Sequence, residues 1–537
     1  WKISIERSYR LFGSTINSSL YVLFDIRLYS FLVGLECEYL TISTANLTSK
    51  NCFMVYNCKK CILSYFSFFG EPSNKSIDAT AKRGAGKMDK TVLKFGGSNL
   101  RRRSDLSTIL EVIRMYNEPL VIVVSALNGV TNSLINAVKN IRTLDVDGFL
   151  SHLYSTYHDF LGEEFTPLKE RVYQIRNMLI GTQLIGEVPD FVHDYVVSHG
   201  ERCSSLLLTE YLNKMGLNFE EALPEQFGLV TDGKFNGASV DLTTSEKNLK
   251  GYFKEDRNYV VPGFYGMYEN KVTILGRGGS DYSATCIAYC IDAKRVDLYK
   301  DVSGFMTSDP KIVPGVKSVE KLNYDEAAEL SYFGAKILHH AAVDPVRKKK
   351  IPLYVYNINS FTSLENPDTI ISSDAFVTES IVKSISFTDD VAIIQFKGSN
   401  VGRVPGILGF IASTLGNEGV NIKSVVTAQT SINVLISSHD VERCQRITSR
   451  MKIAEVEDIC YKTGISLIAA VGDGILKRHG VAARIFSAVS KQCVNVEMIS
   501  AGASDVTTYF IVNSEDREKA LKAIHEEFFG GDVFERH

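Results

Sequence analysis

The chain has 537 residues, of which 45% are hydrophobic and 23% charged, and its formal net charge is −3. That length allows roughly two to four domains with ample core, and the slightly acidic balance excludes a general nucleic-acid binder. From residue 88 onward no stretch reaches the roughly 18 uninterrupted apolar residues of a membrane helix, so neither a nucleic-acid nor a membrane partner is expected.

Residues 1–87 differ in texture from the rest. They are rich in Phe, Tyr, Ser and Asn and hold Cys37, Cys52, Cys58 and Cys61. The chain opens on Trp1, and the first start that makes structural sense is Met88, just ahead of the first strand. We expect 1–87 to be an atypical extension outside the working protein, from an over-extended reading frame. A transit peptide is the alternative; its acidic residues and the lack of an Arg-rich amphipathic face count against it. Cys58 and Cys61 form a C-x-x-C pair without a second pair. The other six cysteines, from Cys203 to Cys493, show neither ligand nor disulfide spacing and read as reduced thiols of a cytoplasmic protein.

Between residues 88 and 360, apolar runs alternate with helical stretches. Residues 120–124, 259–262, 272–275 and 296–299 read as strands, and 104–116 and 204–215 as helices. This alternation predicts an α/β sandwich around a mainly parallel sheet. Near-continuous apolar strands imply that both faces of that sheet are covered. Residues 361–373 carry Pro, Asn, Asp and Ser and read as a connector, extended here to 384. An internal repeat follows, over 385–455 and 456–537. Strands at 391–396, 420–422 and 432–436 flank a helix over 402–418. Strands at 465–471, 494–496 and 508–512 flank a helix over 481–491. The marks around Asn421 and Asn495 hold the same place in each copy, and each copy suggests a small βαββαβ unit. No nucleophile–base pair is evident in this tail, which suits a binding or regulatory module.

Chemistry concentrates in two glycine turns. Thr91 to Ser98 read TVLKFGGS, an apolar run breaking into a lysine and two glycines. Leu275 to Ala284 read LGRGGSDYSA, another strand-like entry into such a turn. Glycines let the backbone approach phosphate oxygens, and a helix start adds its positive dipole end. Neither turn has the G-x-x-x-x-G-K-[ST] or G-x-G-x-x-G spacing of the common nucleotide motifs. Two such turns, each with a cation, point to a nucleoside triphosphate whose terminal phosphoryl group is moved. Lys94 faces Gly96-Gly97 and can neutralise phosphate charge; a solvated strand-end lysine is the plain alternative.

The remaining candidates carry similar alternatives. Ser125 ends a strand ahead of Gly129-Val130-Thr131-Asn132, where hydroxyls can orient a carboxylate or Thr131 can cap a helix. Ser198-His199-Gly200-Glu201 reads as the opening of a long helix, where Glu201 suits the dipole. Arg277 offers a carboxylate fork, and Asp281 either caps the helix that follows or positions the reactants. Lys300-Asp301, the turn Thr307-Ser308-Asp309-Pro310-Lys311, and Gly334-Ala335-Lys336 supply charge at strand ends, where open α/β sheets bind ligands. Arg347 to Lys350 reads as a solvated helix end.

On these residues the chain resembles aspartate kinase, of the amino-acid kinase superfamily. The carrying motifs are Lys94-Phe95-Gly96-Gly97-Ser98, Val124-Ser125-Ala126 with Gly129-Val130-Thr131, Ser198 to Glu201, Gly276 to Tyr282, Lys300-Asp301-Val302 with Thr307 to Pro310, and Phe333 to His339. The match runs from 88 to about 529. The resemblance implies a three-layer amino-acid kinase sandwich over 88–360 and two ferredoxin-like ACT domains, one threaded through the other. It implies phosphorylation of the L-aspartate side chain by ATP with Mg²⁺, giving 4-phospho-L-aspartate, the entry to lysine, threonine and methionine synthesis. By resemblance Lys94 and Asp281 are catalytic, and Ser125, Thr131, Glu201 and Arg277 hold aspartate. Lys94, Gly96, Gly97, Ser98, Lys300, Asp301, Phe305, Lys311 and Lys336 line the nucleotide side. The protein supplies no metal ligand of its own, because Mg²⁺ rides on the phosphates.

An amino-acid effector is expected at the ACT domains, with Lys423, Thr427 and Gln429 as candidates, together with a homodimer or larger assembly. Three departures stand out. Ser98 replaces the frequent threonine, and His340 the usual proline. Lys423 replaces the aspartate of lysine-inhibited relatives, so lysine inhibition at that site is not expected. The rival readings are a kinase for another amino acid, such as glutamate or acetylglutamate, and a non-catalytic amino-acid sensor.

Overall fold

The computed structural model describes residues 89–335, 337–374 and 381–530. The readings of 1–87, of a start at Met88 and of Lys336 fall outside the described residues.

Strand β1 (Thr91–Phe95) reads TVLKF and β2 (Leu120–Val124) reads LVIVV, and every residue of both is buried. Helices α1 (Ser104–Ile113), α2 (Val130–Lys139), α3 (Val146–Leu161), α4 (Thr166–Tyr173), α5 (Arg176–Ile185) and α6 (Asp190–Lys214) precede β3 (Phe219–Glu221). Next come α7 (Pro224–Phe227), α8 (Leu242–Tyr252), β4 (Asn258–Pro262), β5 (Tyr265–Tyr268), β6 (Lys271–Ile274), α9 (Gly279–Cys290) and β7 (Arg295–Lys300). The stretch ends with β8 (Lys321–Asn323), α10 (Tyr324–Tyr332), α11 (Val343–Lys349), β9 (Leu353–Asn357) and β10 (Thr369–Ser372).

Eight of these strands form one sheet in the order β3-β4-β2-β1-β7-β9-β10-β8. All neighbours run parallel except β9 and β10. Side chains alternate across a strand, and the core divides accordingly. Val92 and Leu298 face Ala284 of α9, Ala327 of α10 and Val343 of α11. Leu93, Phe95 and Val124 face Leu106 of α1, Leu134 of α2 and Leu207 of α6. Helices on both faces of a mostly parallel sheet make the three-layer sandwich that the alternation of elements predicts.

Strand β11 (Ser384–Thr388) leads into β12 (Ala392–Lys397), α12 (Ile407–Asn417), β13 (Ser424–Ala428), β14 (Ser431–Ile436), α13 (Val441–Thr448) and β15 (Asp458–Lys462). Elements β12 to β15 close a first βαββαβ unit with sheet order β13-β14-β12-β15. A second unit uses β16 (Ile465–Val471), α14 (Val481–Lys491), β17 (Val496–Ser504), β18 (Thr507–Asn513) and α15 (Arg517–Phe529). Its sheet order is β11-β16-β18-β17. Thus β11 pairs with β16, and the first unit is inserted between them.

Several local readings differ from the structure for identifiable reasons. Residues 272–275 do not join the main sheet: β6 pairs back on β5 through Glu269 and Asn270, both at positive φ. Residues 369–372, read as connector, form β10 and pair with β8 and β9. The connector residues at 384 belong to the second unit's sheet, and the first unit runs past 455 to β15, because pairing follows the sheets and not the chain order. The cation run 347–350 is not simply solvated. Lys349 Nζ lies 2.7 Å from Glu246 and 2.5 Å from Asp292, and Arg347 pairs with Asp325. The partners come from α8, from the turn after α9 and from α10, so no local pattern announces them.

The sandwich and the βαββαβ units share one core: Leu275, Ala284, Leu330 and Phe333 belong to the same cluster as Ile393, Leu435, Leu467, Tyr509 and Ile511. A buried ion pair fastens the junction. Glu326 of α10 accepts from Lys383 Nζ at 2.7 Å, from the Asn323 amide at 2.8 Å and from the Asp473 amide at 2.6 Å. The two side chains are 0% and 1% exposed. Removing one member of such a pair strands a buried charge. Glu326→Ala is expected to lower stability by about 3–5 kcal/mol, read as a drop in the urea midpoint, with partial recovery in Glu326→Ala/Lys383→Met.

Candidate active site

Strands β1 and β7 lie side by side with Lys94 opposite Leu298. Lys300 is two residues beyond Leu298, so strand alternation sends both lysines to the face covered by α9. The first turn of α9 carries Asp281. Its two carboxylate oxygens meet Lys94 Nζ at 2.6 Å and Lys300 Nζ at 2.7 Å. Lys94 and Asp281 are each 7% exposed at the side chain and Lys300 is 13% exposed.

Burial governs the charges here. It pushes Lys94 down to about 8, with Asp281 acting against the fall. It would also raise Asp281, but Lys300 and Lys94 outweigh it and hold that carboxyl at about 2. Asp281 is therefore a fixed anion that keeps two ammonium groups together at the carboxyl ends of adjacent strands.

Glycine conformation places the turn. Gly278 is the N-cap of α9 at φ 67, and a Cβ on it would overlap the imidazole base of His339. A non-glycine residue would meet both obstacles at once. The helix starts at Gly279, so Asp281 is a first-turn residue and not the cap.

Glu201 approaches from the opposite layer. It lies inside α6, which begins at Asp190 after Pro189, and not in its first turn as the sequence suggests. Capping therefore does not account for it. Burial pushes its carboxyl up to about 8, against the Ala126 amide, its own amide and Lys94. Its Oε2 has no hydrogen-bond partner among the described residues. A buried carboxyl with a vacant oxygen next to a cationic cluster is suited to receive an ammonium group. His199, nearby, donates from Nδ1 to the Tyr195 carbonyl at 2.9 Å, and burial pushes it down to about 3, so it stays neutral.

The other candidates spread around this centre. Ser125 follows β2, with its amide on the Phe95 carbonyl at 3.1 Å. Thr131 is the second residue of α2, whose N-cap is Gly129 and not Thr131. Arg277 is exposed at the turn ahead of α9. Ser98 lies in the short turn after β1, where the Gly96 amide donates to Asn99 Oδ1 at 2.9 Å. That amide is engaged, while half-buried Gly97 lies against the Ala126 carbonyl.

Asp301 pairs with Arg101 beyond the end of β7. Phe305 differs from its expected role: its ring is 1% exposed in the core and offers no face to a base. Lys311 is exposed on the turn closed by Asp309. Sequence reasoning gave no role to Asn99, Arg101 or His339. Arg101 opens a visible arginine run, and His339 lies in a quoted motif, but their partners come from other elements.

Among the described residues no group of three or more His, Cys, Asp or Glu side chains could cage a metal ion. No helix there is long and apolar enough to cross a membrane.

The comparisons with known proteins agree with one another. The profile of the amino acid kinase family matches residues 89–357, and an ACT domain profile matches 468–528. Aspartokinase 2, chloroplastic, of Arabidopsis thaliana is 31% identical, over 85% of this chain and 88% of that one. The aspartate kinase of Clostridium acetobutylicum superposes with a TM-score of 0.68 at 26% identity, covering 82% of this chain and 100% of the other. E. coli aspartokinase III, in complex with aspartate and ADP, has a TM-score of 0.70 with the same coverage and, at 24% identity, shares the fold. With the two cationic strand ends, the α9 turn and the paired βαββαβ units, these matches show that the chain belongs to the aspartate kinase family.

Proposed function

We propose that the protein transfers the γ-phosphoryl group of ATP to the side-chain carboxylate of L-aspartate, giving 4-phospho-L-aspartate and ADP. The observation that carries this reading is the Lys94–Asp281–Lys300 cluster at the ends of β1 and β7. An aspartate side chain has a pKa of about 3.9 and is already ionised at neutral pH. It needs no general base. One of its oxygens bonds to the γ-phosphorus, the bond to the β,γ-bridging oxygen breaks, and ADP leaves with that electron pair. The obstacle is anion against anion, so positive charge and alignment supply the catalysis.

In this reading Lys94 and Lys300 take the oxygens of the transferring group, and Asp281 keeps the two ammonium groups at a fixed separation. Glu201 receives the aspartate ammonium, and Arg277 closes on a carboxylate with Ser125 and Thr131 beside it. Gly96, Gly97 and Ser98 bring backbone to the phosphates, with Asp301 and Lys311 at the rim. The residues suit Mg²⁺ carried on the nucleotide, since both oxygens of Asp281 are taken by lysines. When bound, that ion neutralises phosphate charge. The product opens lysine, threonine and methionine synthesis, in the cytoplasm; the free state of all six described cysteines supports a reducing compartment.

The βαββαβ units are read as the seat of feedback by an amino acid. Lys423 Nζ pairs with Asp390 Oδ2 at 3.2 Å, and Asp390 also accepts from Ser437 and Ser438. Burial opposes ionisation of Asp390, but these partners hold its carboxyl well below the usual range. A cationic effector would meet a like charge there; exposed Thr427 and Gln429 are open to a neutral one. Exposed Phe410 on α12 and Ile499 on β17 support a homodimer or larger assembly through these units.

Hydroxylamine trapping of acyl phosphate, with ATP and either aspartate or glutamate, tests the reaction. Turnover is expected with aspartate alone, and no product with aspartate would remove the proposal. Lys94→Ala and Asp281→Ala are each expected to lower turnover by on the order of 100-fold or more while the fold is retained, read by circular dichroism, although loss of a member of this buried cluster lowers the melting temperature.

Aspartate binding should also depend on pH. Glu201 is protonated at pH 7 and must ionise to hold an ammonium. The KM for aspartate, read at saturating ATP, should therefore fall as pH rises through about 8. Glu201→Gln should flatten that profile. Finally, millimolar lysine is expected to leave the initial rate unchanged; inhibition would show that the Asp390–Lys423 pair does not exclude it.

A further inference from the structure

Helix α10 and the chain that follows it touch three parts of the molecule. Tyr332 lies beside Asn421, just ahead of the first unit's β13. Glu329 lies beside Ser504 and Thr507 of the second unit. The Phe333 ring lies 4.9 Å from the Tyr509 ring, and the Tyr509 hydroxyl donates to Ser424 Oγ at 2.7 Å, next to Lys423. Gly334 holds φ 112 with no room for a Cβ, because the Phe387 carbonyl of β11 fills that space. One helix end therefore reads both βαββαβ units.

The far end of the same segment reaches the catalytic turn. Leu338 shares the core cluster of Phe333 and Tyr509 with Leu275 and Ala284, which flank the Gly278 turn. His339 follows Leu338. Its Cβ and ring lie against Gly278, its Nδ1 accepts from the Ala341 amide at 3.4 Å, and its ring centroid lies 4.2 Å from that of His340 in a tilted pair. Phosphoryl transfer does not require this imidazole to give or take a proton, so a mechanical role accounts for it.

We propose that His339 is a positioning residue: it braces the Gly278 turn that aims Asp281 at Lys94 and Lys300, and Tyr509 sets the other end of the same brace. The proposal rests on the phosphotransferase reading above. It makes the geometry of phosphoryl transfer depend on the ring position of a residue in the second βαββαβ unit. Misplacement by a fraction of an ångström at the reacting groups is costly, whereas ground-state contacts to aspartate and ATP tolerate it better. The expected signature is a loss in kcat with little change in KM.

The test uses the full chain with ATP and aspartate in the hydroxylamine assay, plus thermal melting. His339→Ala is expected to lower kcat by on the order of tenfold, with both KM values within about twofold and the melting temperature little changed. His339→Asn keeps the branch at Cγ and an acceptor for the Ala341 amide, and should restore most of kcat.

Tyr509→Ala is expected to lower kcat as well. If the two residues act on one brace, the His339→Ala/Tyr509→Ala variant should be no more than about twofold slower than the slower single variant. Unchanged kcat in His339→Ala, or equal losses in the alanine and asparagine variants with a fall in melting temperature, would overturn the positioning role. Multiplicative effects in the double variant would overturn the link to Tyr509. An inactive wild-type chain would instead count against the reaction itself.

Discussion

Two ammonium groups in one dry cleft repel each other strongly, and that repulsion sets the terms for the rest of the catalytic unit. At an effective dielectric of about 20, like unit charges about 4 Å apart cost roughly 4 kcal/mol. Asp281 removes that cost by standing between Lys94 and Lys300. Its position requires α9 to start at Gly279 behind the Gly278 cap, and β1 and β7 to pair in the register that sends both lysines to one face. The helix layer beneath must be packed well enough to hold that start. Glu201, brought from the opposite layer, then meets a positive centre whose charge is already fixed.

Much of this was legible in the sequence because it is local. Apolar runs broken by glycine announce β1 and the α9 turn, and strand alternation fixes which way Lys94 faces. What was not legible depends on partners far along the chain. The burial of Glu201 follows from a helix that begins at Asp190, so its surroundings resemble nothing in Ser198 to Glu201 alone. Lys349 looks solvated until Glu246 arrives from α8 and Asp292 from the turn after α9. Phe305 stands beside a nucleotide-side motif, but its ring fills the core. Strand β10 hides in a polar stretch because three short pairings with β8, and three with β9, suffice to hold it.

The regulatory half follows the same logic of charge satisfied within the chain. Asp390 collects Lys423, Ser437 and Ser438, so the Lys423 charge is neutralised by a neighbour rather than left for a ligand. At the junction, Glu326 plays the corresponding role for Lys383. Both arrangements place an ion pair where a strand enters a βαββαβ unit. The Glu326–Lys383 pair is buried and fixes a geometry, the use best attested for such pairs, whereas the Asp390–Lys423 pair is partly exposed. Helix α10 carries Glu326 and packs against β8 and β10 of the kinase sheet and β16 of the second βαββαβ unit.

The insertion of one βαββαβ unit between β11 and β16 has a consequence during synthesis. Strand β11 leaves the ribosome without its partner and must wait until the whole inserted unit has emerged. Such non-local pairing is slow to form and leaves an apolar strand edge open in the meantime. The inserted unit can close first on its own local contacts, bringing the two strands together as it does so. On that view the order of folding is written into the threading: the unit that carries Lys423 acts as an internal template for the unit that carries Tyr509.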